Sequence, residues 1–142
     1  MNHTALTARF GVVAVVVAFV LTLVAQSPKT YKGLEISVGG VERSLRAPLS
    51  DCPPGTNTQV GNARGAEEFA IVTIKMKVLP DFKPFMMARP KLTDASGKVY
   101  NTGISFVDVG KVPEFSCAIP FRVPQGTKLK SIQIDSVSID LP

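Results

Sequence analysis

The feature of the sequence that most constrains its fold is a stretch at residues 69–78 in which apolar side chains recur at every second position. The continuously apolar row consists of Ala70, Val72, Ile74, Met76 and Val78. The alternate row changes from Phe69 and Ile71 to Thr73, Lys75 and Lys77. Successive side chains of a β-strand point to opposite faces, so a period of two predicts a strand with one buried face. We predict that this strand lies near the middle of a β-sandwich.

Similar but shorter patterns fill the chain on both sides of this strand. Alternating residues at 34–38 predict a first strand, and Gly39 with Gly40 predict a bend or bulge before pairing resumes. The last predicted strand covers residues 129–141, where the alternation slips near Asp135 and indicates a bulge. Turn signals recur along the chain without helical periodicity. This pattern is typical of an all-β, antiparallel immunoglobulin-like β-sandwich of about seven to eight strands.

A hairpin is predicted at residues 91–100. Asp94 suits the first position of a type I turn, and Gly97 can adopt the positive φ with which the chain resumes pairing. Residues 114–123 form another predicted strand, and Pro120 within it lacks the N–H group that an interior strand would donate. Pro120 therefore indicates an edge strand or a bulge.

The amino-terminal residues 1–25 have the composition of a targeting segment. Residues 10–25 are apolar except for Thr22, which makes the run longer than most signal-peptide cores and slightly short for a membrane span. Both a cleaved signal peptide and an uncleaved amino-terminal helix that anchors the protein in the membrane fit this pattern. We assign residues 26–32 to a polar linker and residues 33–142 to one domain, which is exported in either case.

Charge and composition exclude several functional classes. Lysine and arginine number 16 against 11 acidic residues, but the cations are dispersed, tryptophan is absent and no nucleic-acid motif is present. The single histidine, His3, lies in the leader, which leaves no imidazole for a catalytic triad or a histidine-ligated zinc ion. We therefore predict a protein that is not an enzyme, has no cofactor or metal and does not bind nucleic acid.

The two cysteines, Cys52 and Cys117, are candidates for a disulfide bond. A chain with an export signal enters an oxidising compartment, where two cysteines favour a disulfide over two free thiols. This bond would join a long loop rich in proline and glycine, at residues 46–65, to a late strand. A redox-active pair would need close spacing such as C-x-x-C, which the sequence lacks.

An apolar group between two prolines is a possible binding loop. Its members are Phe82, Phe85, Met86 and Met87. Exposed apolar side chains in a loop favour an interaction site. The alternative is that these side chains cover one end of the core, where methionine fills irregular gaps.

A second candidate surface is cationic. Lys75 and Lys77 share one strand face, and Arg89 and Lys91 follow a short distance along the chain. Together they could bind anionic envelope polymers or lipid headgroups. The alternative is a solvated lysine face that protects a sheet edge from aggregation.

Two segments of the chain carry a resemblance to a known family. "LTDASGKVY" at residues 92–100 and "PFRVPQGTKLKSIQI" at residues 120–134 follow an exported amino terminus. The chain resembles the bacterial immunoglobulin-like domains of the domain-of-unknown-function family 4352, which have a "D-x-x-G-K-x-Y" turn and an "F-x-V-P" strand end. The resemblance covers roughly residues 33–141, although the lipobox of many members is missing. It implies a secreted or surface-tethered sandwich without known catalysis, and it transfers no binding residues.

The sequence therefore predicts an exported, non-catalytic binding module of the cell envelope or extracellular space, whose partner is a protein or an envelope ligand. The alternative is a structural or accessory subunit of an envelope complex, anchored in the membrane by the uncleaved residues 10–25. Both hypotheses place the folded domain outside the cytoplasm.

Overall fold

The structure is a computed structural model that describes residues 26–47, 52 and 61–142. Within these residues the chain is all-β, without any helix, and no helix long and apolar enough to cross a membrane is found there. The hydrophobic helix predicted for residues 1–25 lies outside the described residues. The strands are β1 Lys29–Tyr31, β2 Leu34–Ser44, β3 Arg46–Ala47, β4 Gly61–Asn62, β5 Glu67–Val78, β6 Lys91–Asp94, β7 Val99–Asn101, β8 Glu114–Pro124, β9 Leu129–Ile134 and β10 Val137–Asp140.

The strands form two four-stranded sheets and one short ribbon. The first sheet has the order β1-β2-β5-β8, and the second has the order β10-β9-β6-β7. Strands β3 and β4 pair with each other as the ribbon. Every paired strand in the described part of the chain is antiparallel.

The predicted central strand is β5, which lies between β2 and β8 in the first sheet. Its continuously apolar row faces a core to which both sheets contribute. From the first sheet, the core includes Leu34, Ile36, Ala70, Val72, Ile74, Met76, Ile119 and Phe121; from the second, it includes Leu92, Ile132, Ile134 and Ile139. The burial of this row on one face confirms the alternation in the sequence.

The opposite row of β5 begins apolar because the ribbon covers it. Phe69 and Ile71 form a second, smaller cluster with Ala47 of β3 on the outer face of the first sheet. Beyond the ribbon the same row continues with the half-buried Thr73 and the exposed Lys75. The change from apolar to polar along this row therefore marks where the ribbon ends.

Strand β2 contains the predicted bulge, because its register with β5 shifts between Val38 and Gly40. Residues 26–32, predicted to be a linker, contain a strand. Within them, β1 pairs with β2 from Lys29 opposite Ile36 to Tyr31 opposite Leu34. Three residues are too few to show an alternating pattern, so the strand has no signal in the sequence.

One strand with a bulge was predicted for residues 129–141, and this prediction is wrong. The chain instead turns through Asp135 and Ser136, so that Ile134 of β9 pairs with Val137 of β10. Asp135 has φ +52°, a left-handed conformation that aspartate adopts more readily than most non-glycine residues. Either a two-residue turn or a bulge can shift the apolar alternation of a sequence by one residue, so the sequence pattern did not distinguish them.

Strand β8 is an edge of the first sheet, as Pro120 predicts. Pro120 is opposite Ile71 of β5, and its carbonyl oxygen accepts a hydrogen bond from Thr102 Oγ1 at 2.9 Å. The N and C=O groups of one strand residue point to the same side, so the missing donor faces away from β5. No hydrogen bond of the sheet is therefore lost at Pro120.

The structure contains the disulfide Cys52–Cys117, with the two Cα atoms 4.8 Å apart. Both cysteines are about 1% exposed and belong to the main core. Cys117 lies in β8, and Cys52 belongs to the connection between β3 and β4. The bond therefore fastens the connection of the ribbon to the interior of the molecule.

Candidate functional site

The candidate functional site is a cleft of about 550 Å³ beside β7 and β8, which are edge strands of the two sheets. β8 contributes to one wall, the segment that leaves β7 forms another, and the ribbon borders the cleft at Ala47 and Gly61. The described lining residues are Ala47, Gly61, Phe69, Arg89, Asn101, Thr102, Gly103, Ile104, Pro120 and Arg122. We call this site the Arg89–Arg122 cleft.

Arg122 has a fixed position in this cleft. It lies between the buried Phe121 and Val123, so the alternation of β8 directs its side chain outward. Its Nη1 donates to Glu67 Oε2 at 3.0 Å, and its Cζ lies 5.0 Å from the centroid of the Phe69 ring. The ion pair and the ring orient the guanidinium group, while its remaining N–H groups can still donate to a ligand.

Arg89 supplies the second positive charge of the lining. It lies two residues before β6, and its side chain is exposed. Nothing in the described part of the chain forms a hydrogen bond or an ion pair with its guanidinium group. The charge of Arg89 is therefore not neutralised by a neighbouring carboxylate.

Residues 101–104 are held in place by Thr102, which is 8% exposed. The hydroxyl group of Thr102 donates to Pro120 O and accepts from Ile104 N at 3.2 Å. These two bonds fasten the segment to the edge of β8. Because these bonds occupy the Thr102 hydroxyl group, Asn101 supplies the exposed polar side chain of this wall.

The base of the cleft is apolar. It consists of Ala47, Phe69 and Ile104, which are all buried. At Gly61, an added Cβ would lie 3.3 Å from Cζ of Phe69, so this position is close to the ring. An apolar base with a few polar groups at its margin is the usual composition of small-molecule sites, and about 550 Å³ is within their usual range of about 300–1,000 Å³.

The structure separates the residues of the predicted cationic patch. Lys75 and Lys77 point outward from β5, whereas Lys91 points outward from β6 in the second sheet. The shared core lies between the sheets, so these outward faces are on opposite sides. Lys77 is also flanked in register by Glu35 and Glu114, which offset its charge. Among the four predicted patch residues, only Arg89 lines the cleft.

The predicted binding loop does not present a continuous apolar surface. Met87 is buried in the core, and Phe82 and Phe85 are half-buried against it. Met86 is 96% exposed, alone among the four. The loop therefore covers one end of the core and exposes a single large apolar side chain.

Phe85 belongs to a closed cluster, the aromatic corner, which we define as Tyr31, Lys32, Phe82, Phe85 and Asp135. The ring centroids of Tyr31 and Phe85 are 6.0 Å apart, and those of Phe82 and Phe85 are 6.1 Å apart. Lys32 Nζ lies 4.5 Å from the centroid of Phe85 and 5.1 Å from that of Tyr31. The corner joins the β1–β2 turn, the loop before β6 and the β9–β10 turn.

Asp135 connects these three segments. Its Oδ2 accepts from the Tyr31 hydroxyl at 2.6 Å, and its Oδ1 accepts from Ala88 N at 3.0 Å. The Tyr31 bond lowers the pKa of Asp135 most, followed by the Ala88 bond, and the charge of Lys32 adds to the effect. The carboxylate has bonds at both oxygens, which indicates a structural role.

Asp94 is also committed to structure. Its Oδ1 accepts from Ser96 Oγ at 2.6 Å, Ser96 N at 2.9 Å and Lys98 N at 3.0 Å, and its Oδ2 accepts from the Tyr100 hydroxyl at 2.9 Å. The bond from the Ser96 hydroxyl is the largest cause of its lowered pKa. Burial, followed by the bond to Asp94, raises the pKa of Tyr100. These bonds close the predicted turn, where Gly97 has φ +88°.

Within the described residues, no group of three or more histidine, cysteine, aspartate or glutamate side chains could hold a metal ion. Comparison with protein-family models, with curated proteins and with solved structures finds no match to this chain. The resemblance to family 4352 thus stays a prediction.

The sequence did not predict most of the cleft, because its lining comes from β3, β4, β5, β7, β8 and two connecting segments. Arg122 gave one signal in the sequence. It is a cation on the outward row of a strand, and it pairs in register with Phe69, an apolar residue on the outward row of β5. A cation opposite an outward-facing aromatic residue indicates a ring–cation contact, but this signal requires the strand register to be known.

Proposed function

We propose that the protein is an exported, non-catalytic binding module with an immunoglobulin-like β-sandwich fold, and that its ligand binds in the Arg89–Arg122 cleft. The observation that supports this function most directly is the cleft itself. It combines a volume suited to a small ligand with an apolar base and two arginines at its margin.

Two observations support export to the cell envelope or the extracellular space. Residues 10–25 have the apolar composition of a targeting segment. The disulfide Cys52–Cys117 is buried in the core, and structural disulfides persist in oxidising compartments. Together they favour a folded domain that functions outside the cytoplasm.

The chemistry of the described lining favours binding over catalysis. Arginine remains protonated and is a poor general base, and asparagine does not titrate. The Thr102 hydroxyl is bonded to Pro120 and Ile104 and has no neighbouring base that would activate it. These groups can recognise and orient a ligand, and they lack the acid–base pair that hydrolysis or group transfer requires.

The proposed site can be tested by filling the cleft. Gly103 lines it, and an added Cβ there would have no atom within 4 Å, so Gly103→Trp projects bulk without a clash at Cβ. Val107→Trp is the matched control, because Val107 is 41% exposed and lies outside the lining. Thermal unfolding would be measured for each protein with a panel of small anionic, neutral and cationic compounds.

We expect compounds that raise the melting temperature of the wild type to lose this effect with Gly103→Trp and to keep it with Val107→Trp. Stabilisation that survives Gly103→Trp would place binding elsewhere. A panel without any stabilising compound would count against a small-molecule function.

A second candidate function is an anchored subunit of an envelope complex, and the position of β1 favours it. Only three residues, 26–28, lie between Ala25, where the apolar run ends, and Lys29, where the strand begins. Three extended residues span about 10 Å, so an uncleaved helix would keep the domain against the membrane surface. Intact mass in membrane and medium fractions tests this: a full-length mass confined to the membrane supports the anchor, and a mass beginning near Gln26 in the medium contradicts it.

A further inference from the structure

We infer that the Arg89–Arg122 cleft recognises a small organic anion, whose carboxylate or phosphate group lies between the two arginines and whose apolar body contacts Phe69 and Ile104. This inference rests on the proposed function and specifies the chemical class of the ligand. Its basis is the positive charge of the lining together with the volume of the cleft.

The charge of the described lining is positive. It contains two arginines and no acidic residue. Glu67 bonds to Arg122 from outside the lining and offsets one of these charges, while the charge of Arg89 has no such partner in the described residues. An unneutralised cation beside a concave surface attracts anions, because the cavity walls concentrate its field.

The geometry of Arg122 suits a planar or tetrahedral oxyanion. Glu67 and the Phe69 ring already fix the plane of the guanidinium group, so little side-chain freedom is lost when a ligand binds. Guanidinium groups present parallel N–H donors that match carboxylate and phosphate oxygens, whereas lysine presents a point charge. Asn101 adds an exposed amide at the same margin, which can donate a further hydrogen bond.

The cleft, at about 550 Å³, has room for more than an inorganic ion. Phe69, Ala47 and Ile104 are largely buried, so a bare phosphate would leave most of the cleft volume, rather than a large apolar surface, filled with water. A ligand with an apolar body displaces this water and covers the exposed edges of Phe69 and Ile104, which adds a small binding free energy in proportion to the area covered. The combination of a charged margin and a volume larger than an inorganic ion therefore favours an organic anion over a free inorganic one.

The test uses the oxidised, ¹⁵N-labelled protein and three probes of similar shape: phenylacetate, phenyl phosphate and the neutral phenylacetamide. Nuclear magnetic resonance titrations would follow the backbone amides of residues 101–104 and the Nε–H signals of the arginines. We expect at least one anion to produce saturable shifts at these positions, with an affinity about tenfold or more above that of phenylacetamide, the ratio that one hydrogen bond to a charged group gives.

Arg89→Gln and Arg122→Gln should each weaken anion binding about fivefold or more, because each removes a charged donor. Arg43→Gln is the matched control, since Arg43 is also ion-paired, to Glu68 at 2.7 Å, and lies outside the lining. We expect this control to keep the wild-type affinity. The spectrum of each variant without a probe shows whether it is folded.

The outcomes separate this inference from the proposed function. If the neutral amide shifts residues 101–104 as strongly as the anions do, the cleft binds ligands and the inference of an anion is wrong. If anion binding persists in both arginine-to-glutamine variants, the inference is also wrong. If none of the probes shifts these residues at concentrations of about 50 mM, where even very weak binding is visible, both the inference and the proposed cleft function are overturned.

Discussion

Both the aromatic corner and the Arg89–Arg122 cleft place a cation over an aromatic ring near a carboxylate. In the corner, Lys32 lies over Tyr31 and Phe85, and Asp135 has bonds at both of its oxygens. In the cleft, Arg122 lies over Phe69 and bonds to Glu67, but Arg89 adds an unneutralised charge beside an open volume.

The two regions differ in whether their polar and charged groups have partners within the protein. The corner has its aromatic rings packed together and its carboxylate bonded to two other segments, so we expect changes there to alter stability. The cleft retains free guanidinium donors beside an open volume, so we expect changes there to alter binding. Four experiments test this contrast, in decreasing order of expected effect.

The largest effect is expected from the disulfide, which fastens the cleft side of the molecule. Replacing both cysteines, Cys52→Ser with Cys117→Ser, should lower the free energy of unfolding by up to about 4 kcal/mol, the chain-entropy estimate for a loop of this length. Hydrogen exchange should accelerate at the ribbon, for example at Ala63 N, which bonds to Leu45 O. It should change less at Leu79 N, which bonds to Gly33 O beside the corner. Equal acceleration of hydrogen exchange at Ala63 and Leu79 would show that the disulfide stabilises the cleft and the aromatic corner equally, which would contradict the contrast between them.

The second experiment compares the loss of stability caused by alanine at two glycines with the same φ angle. Gly33 and Gly126 both have φ +77°, but an added Cβ at Gly33 would lie 2.4 Å from Phe82 Cα, while at Gly126 it would meet nothing within 4 Å. Gly126→Ala therefore measures backbone strain alone, which we expect to cost about 1 kcal/mol. Gly33→Ala should cost about 2 kcal/mol more, because Phe82 must move. Equal losses in urea unfolding would show that the corner accommodates the methyl group.

The third effect is that of one hydrogen bond in the corner. Tyr31→Phe keeps the ring and removes the donor to Asp135, which should cost about 1 kcal/mol at neutral pH. The pKa of Asp135 is lowered on folding, so its contribution to stability is present above about pH 4 and is lost as pH falls through the folded pKa. In Tyr31→Phe the pKa should rise and this acid-induced loss should shrink. An unchanged pKa in a carboxyl titration followed by magnetic resonance would contradict the assignment.

The smallest effect concerns the ion pair in the cleft. Glu67 and Arg122 are 43% and 41% exposed, so Glu67→Gln should change the free energy of unfolding by less than about 0.5 kcal/mol. The same change removes a carboxylate that competes for Arg122, so affinity for phenylacetate should rise about twofold in low salt and less in high salt. Glu68→Gln, which alters the other ion pair, is the control. Weaker binding in Glu67→Gln would mean that the pair positions Arg122 more than it neutralises it.

Local patterns predicted the parts of the fold that depend on neighbouring residues. The alternation of β5, the Val38–Gly40 bulge and the Asp94 turn each depend on side chains within a few positions of one another. The Asp135 turn was mistaken for a bulge because both shift an alternation by one residue. Neither β1 nor the ribbon could be predicted, since strands of two or three residues show no period.

The candidate site was less predictable than the fold. Arg89 was selected from the sequence, but for a surface shared with lysines that the structure places on other faces. Arg122 and Asn101 reach the same cleft only through the pairing of distant strands. A cleft at the meeting of two sheet edges is a property of the tertiary arrangement, so no local spacing of residues encodes it.

The separation of 65 residues between the joined cysteines has a consequence for how the molecule is made. In a chain that crosses a membrane amino terminus first, Cys52 reaches the oxidising side while Cys117 is still behind. The Cys52 thiol can then react with an oxidant first and form a mixed disulfide. The Cys117 thiolate later attacks the Cys52 sulfur and displaces the oxidant's sulfur as a thiolate. Cys117 belongs to β8, the strand that completes the first sheet. If the proposed export is correct, covalent closure therefore follows the arrival of Cys117 late in translocation, when β8 can complete the first sheet.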